Sequence, residues 1–114
     1  MWPFRRRRFR EVVERQLAIF AQDHSTLVDE ARAALGEYHH ERDARASLES
    51  YGEHDELAER VEELLDDMYR NFSSTLEGTA ARDYRREFAR SAKAAYGDLL
   101  PRLTFDSPED QLPE

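Results

Sequence analysis

Val12-Val13-Glu14-Arg15-Gln16-Leu17-Ala18-Ile19-Phe20-Ala21-Gln22-Asp23-His24-Ser25-Thr26-Leu27-Val28 is the stretch on which the fold turns. Its core positions step by four and three through Val13, Leu17, Phe20, His24 and Leu27. The same phase runs on through Ala31, Ala34 and Tyr38. That period is the stripe of a helix packed in a bundle. Val12, Val28 and Leu35 widen it. Because the phase survives Asp23-His24-Ser25-Thr26, the stretch is expected to be one long helix. A break there, with Asp23 or Ser25 as a cap, is the alternative.

Two further periodic stretches follow. Leu57, Val61, Leu64, Leu65, Met68, Phe72 and Leu76 form one, ending at Gly78-Thr79, where Gly suits a helix C-terminus and Thr the next N-cap. Ala81, Tyr84, Phe88, Ala92, Ala95, Leu99 and Leu103 form the other, closed by Pro101. Residues 39–56 are polar, with Leu48 and Tyr51 their large apolar groups and Gly52 a plausible helix stop, so they are expected to be an overhang or turn. The fold class is therefore all-α, an antiparallel three-helix bundle with a long first helix. A basic and aromatic arm (1–8) precedes the bundle (9–103), and a disordered acidic tail (104–114) follows it.

The spans 9–38, 57–76 and 81–103 would be about 44, 29 and 33 Å long. The first overshoots the others, which leaves part of its stripe without cover. Val12, Val13, Leu17 and Phe20, with Ile19 beside them, then become a candidate interface between two copies, giving a homodimer.

A chain of 114 residues has room for one modest core. It contains no Cys, so neither a disulfide nor a Cys-based metal site can form. The net charge is −8, yet Arg5, Arg6, Arg7, Arg8 and Arg10 put +5 on the first ten residues, leaving −13 on the remainder. An acidic body repels phosphates, which weighs against nucleic acid as a partner. The opening Arg cluster is not followed by the apolar run of an export signal. No segment approaches the ~18 apolar residues of a membrane span. A cytoplasmic location is expected, peripheral to a membrane if the arm touches one. Trp2, Phe4, Arg5, Arg6, Arg7 and Arg8 combine rings with guanidinium groups, the chemistry that grips an anionic membrane surface or an acidic partner.

Other polar groupings point less clearly to chemistry. Glu37-x-x-His40 has the spacing of a helical di-iron half-site, although a solvated turn is the simpler account. His24 on the apolar stripe fits a buried hydrogen-bonded ring or a pH-sensing group. Arg82, Arg86, Arg90 and Lys93 form a basic stripe, and the acidic stretch 53–67 is its natural ion-pairing neighbour. There is no nucleophile with an activating base and no Gly-rich phosphate loop, so no enzymatic activity and no cofactor are expected. The leading expectation is a non-catalytic interaction or scaffold protein.

The Arg-rich opening, a three-helix unit of this size and the stretch Glu56-Leu57-Ala58-Glu59-Arg60-Val61-Glu62-Glu63-Leu64 resemble the half-unit of PhoU-related proteins. Those are helical regulators of phosphate uptake that bind metal through acidic motifs. The resemblance implies an alternative function as a metal-dependent or phosphate-linked regulator. Leu65 and Tyr69 stand where acidic ligands would be expected, while Glu63 and Asp67 keep the spacing out of register.

Overall fold

The computed structural model describes residues 8–41 and 43–100. They are all-helical, in four helices: α1 (Arg10–Asp23), α2 (Ser25–His40), α3 (Ala44–Ser73) and α4 (Gly78–Tyr96). The arm residues 1–7 and the tail 104–114 lie outside the described residues.

The expected long first helix is two helices joined at one residue. His24 has φ −122° and ψ 28°, which ends α1 in a run of poor helix formers. The ladder nevertheless passes through it. The His24 N–H donates to the Phe20 carbonyl at 2.9 Å, and the His24 carbonyl accepts from the Val28 N–H at 3.0 Å. A joint that keeps these bonds costs almost no register, so the stripe continues from Val13 and Phe20 into Val28, Ala31 and Ala34, all of them buried.

The second difference lies in 39–56, where the expected turn is mostly helix. Asp43 caps α3 with its side chain, Oδ1 accepting from the Arg45 and Ala46 N–H groups at 2.9 and 3.0 Å. From there α3 runs for 30 residues, about 45 Å, straight through Gly52. Gly costs a helix up to about 1 kcal/mol relative to Ala, a penalty that packing of α3 against α2 outweighs. The seam of α3 explains why: Val61 stepped back by three and four gives Ala58, His54 and Tyr51.

At the other end of α3 the hydroxyls of Ser74 and Thr75 donate to the carbonyls of Asn71 and Phe72 at 3.0 and 2.7 Å, satisfying acceptors the ending helix leaves open. The chain reverses at Gly78, whose φ of +57° is left-handed and strains any residue with a Cβ. α4 begins at this glycine, so Thr79 lies inside the helix and not at its cap. It ends at Tyr96, short of the expected position, and Leu99 and Leu100 complete the core from the turn that follows.

Ring contacts fix the directions. Phe9 packs edge-on against Tyr84 and Phe20 against Tyr96, so α1 and α4 run parallel. Phe9 also meets Phe72, and Tyr38 meets Tyr51, so α3 runs against α1 and α2. Inside, Tyr69 stacks on Tyr84 with centroids 6.1 Å apart, and Phe88 packs on both rings. The Tyr84 hydroxyl, inside the core, donates to Gln16 Oε1 at 2.8 Å. Each fully buried large side chain here, such as Phe20, Leu65 or Phe88, stabilises the fold by roughly 1.5 to 3 kcal/mol.

The molecule measures 54 × 34 × 26 Å with a radius of gyration of 16.4 Å, against about 13 Å for a compact domain of this length. The elongation comes from α2 and α3. The end of α4 is tied to Arg32, and beyond that point the two helices continue as a hairpin without α4 beside them.

Candidate functional site

That free end of the α2–α3 hairpin is the most distinctive surface among the described residues. Tyr38 from α2 meets Tyr51 at 5.5 Å and lies parallel to the His54 ring at 6.4 Å, both of these from α3. His39 packs against the same tyrosine at 5.7 Å. The His54 Nδ1 is closed off from solvent without a hydrogen-bond partner among the described residues. Beside this cluster Leu48 is 74% exposed, and Tyr51 itself 45%. On the same turns of α3 Glu49, Glu53 and Glu56 are exposed and have no ion pair among the described residues. Apolar and aromatic groups on a helix that also exposes carboxylates make a surface for a side chain that is both cationic and flat, or for rings next to cations.

Arg32 marks the boundary of this end. Its Nε donates to Asp98 Oδ2 at 3.1 Å and its Nη2 to the Ala95 carbonyl at 3.0 Å, while the guanidinium lies 5.6 Å from the Tyr96 ring centre. Partial burial works against the Asp98 carboxylate, but the hydrogen bond and charge of Arg32 overcome it and hold its pKa below the ordinary value. The same bond raises Arg32 above its own. Both side chains remain about half exposed, so the pair adds little stability. Its effect is positional, fixing where α4 stops.

The interface residues expected on the first helix are placed differently. Val13 and Phe20 are 0 and 1% exposed within a single chain, because α4 runs alongside α1 and covers them. Val12 and Leu17 are half-buried, and Leu17 packs against the core. The premise of an uncovered stripe therefore fails here, and Ile19, 47% exposed, is what α1 leaves to solvent.

Trp2, Phe4, Arg5, Arg6 and Arg7 lie outside the described residues. Arg8, at the root of the arm, is 3.5 Å from Asp83 and lies over the Phe9 ring. Glu37 and His40 are both exposed at the end of α2. No three His, Asp or Glu side chains converge as a metal site among the described residues, and Glu63 pairs with Arg60. His24 is half-buried at the joint, its ring 4.8 Å from that of Phe20. Arg82, Arg86, Arg90 and Lys93 line the outer face of α4. Arg90 donates to Glu87 Oε1 at 2.7 Å, the partner of a carboxylate only 3% exposed. The long-range ion pairs on view among the described residues are Arg8–Asp83 and Arg32–Asp98, and neither of them joins α3 to α4.

None of the described helices is long and apolar enough to cross a membrane. No known protein family, curated protein or solved structure matches this chain.

Proposed function

We propose that this is a non-catalytic helical interaction protein that self-associates, with the free end of the α2–α3 hairpin as its docking surface. The exposure of Leu48 and Tyr51 carries the reading. Two large apolar side chains side by side on an otherwise highly charged helix lose hydrophobic stabilisation unless something covers them. Self-association is supported by the charge layout, since an acidic body and a strongly basic opening belong to one chain and oppositely charged surfaces select one another. The expected interface moves accordingly from Val13 and Phe20, which the core already uses, to the hairpin end.

Light scattering tests this directly. At high micromolar concentration the full chain should show a mass near twice 13.4 kDa. Leu48→Glu combined with Tyr51→Glu should give a monomer with unchanged helical circular dichroism. A full chain that stays at 13.4 kDa under those conditions would overturn the proposal.

A further inference from the structure

Resting on that self-association, we infer that the occupant of the hairpin end is the N-terminal arm of a second copy, Trp2 to Arg7. The chemistry matches on both sides. Residues 37–56 carry seven carboxylates against two arginines. Among them Glu49, Glu53 and Glu56 are exposed on the same turns of α3 as Leu48 and Tyr51 and have no ion pair among the described residues. The arm offers Trp2 and Phe4 for the apolar surface and Arg5, Arg6 and Arg7 for the carboxylates. Guanidinium groups suit this site twice over, because they bond carboxylates in a fork and stack on a tyrosine face.

Reach decides which copy supplies the arm. Phe9, where the arm joins α1, packs on Phe72 with ring centres 6.4 Å apart. Leu48 lies on the same helix as Phe72 but 24 residues earlier, which is about 36 Å along the axis. Even fully extended, the chain from Phe9 back to Phe4 spans about 18 Å. The arginines sit closer still to Phe9. A chain therefore cannot lay its basic cluster on its own hairpin end. Two copies side by side and antiparallel place the arm root of each beside the hairpin end of the other. The two contacts are then identical, and the assembly closes as a two-fold dimer. Doubling a contact in this way lets modest arm–hairpin affinities hold a dimer together.

Charge reversal on each side tests the pairing. Arg5, Arg6 and Arg7 changed together to Glu should weaken dimerisation at least about tenfold, and so should Glu49, Glu53 and Glu56 changed together to Lys. The chain carrying all six changes should recover most of the lost affinity, and dimerisation of the unaltered chain should weaken as salt rises. Sedimentation velocity reads all four proteins, with circular dichroism verifying that each is folded. Full dimerisation by the arm variant would reject the arm as occupant while leaving self-association intact, and failure of the six-fold variant to recover would do the same. A monomeric full chain overturns both readings. If that monomer co-sediments with phosphatidylserine vesicles through its arginines, the arm serves a membrane instead.

Discussion

Tyr84 shows how one side chain ties the core to the solvent conditions. Burial pushes its hydroxyl up to about 12, the neighbouring Tyr69 adds to this, and the Gln16 amide, able to turn its NH2 toward a phenolate, works the other way. Burial raises Tyr96 as well, with the Arg32 charge opposing it. Folding therefore favours the protonated phenols. Their contribution is complete below the ordinary tyrosine value near 10 and is lost as the pH rises from there through about 12, because the unfolded chain releases its protons first. The melting temperature should fall across that window. Tyr84→Phe should make the decline shallower while Tyr96 maintains a remnant, at the cost of the Gln16 hydrogen bond, about 1 kcal/mol at neutral pH. Thermal melts followed by circular dichroism between pH 8 and 12 would show it, and identical slopes for the two proteins would refute it.

At the scale of elements, Gly52 carries the plainest forecast. It is exposed inside α3, and a Cβ built there meets nothing within 4 Å. Gly52→Ala should therefore stabilise the protein by about 0.5 to 1 kcal/mol, a rise of a few degrees in melting temperature. A destabilised variant would mean that α3 is interrupted at this position in solution. The same glycine shows where the sequence could be read and where it could not. The stripes of α1, α2, α4 and the second half of α3 were legible because their apolar positions keep the helical period. Gly52 and the carboxylates around it concealed the first half of α3, since local propensity argued for a stop while packing against α2 argued for a helix. His24 concealed the reverse case, a break that preserves hydrogen bonds and therefore phase. The hairpin end was missed as a surface for the same reason as the first half of α3, although Tyr51, His54, Ala58, Val61 and Leu65 step by three and four and held the signal. The cover over Val13 and Phe20 could not be read from span lengths, because it depends on where along the first stripe α4 sits, with Tyr84 level with Phe9 and Tyr96 level with Phe20.

For the whole molecule, the uneven layering of helices predicts uneven stability. Amides near Val61, Leu65, Tyr84 and Phe88 lie where α1, α3 and α4 pack around a common aromatic core. Among the described residues, amides from Ala46 to His54 have α2 alone beside them, in a segment where Gly52 weakens the helix. Opening that segment exposes little apolar surface, so it requires less free energy than opening the core. At low protein concentration hydrogen exchange should run roughly tenfold or more faster in the first half of α3 than in the second. Raising the concentration into the range of the proposed dimer should slow exchange selectively around Leu48 and Tyr51 and leave the core amides unchanged. The gain follows from mass action, because a contact made only by the closed hairpin stabilises that state against its opening. Slowing centred on Ile19 and the exposed face of α1 would instead locate the interface on the first helix, and uniform exchange along α3 would mean that the hairpin end shares the stability of the core.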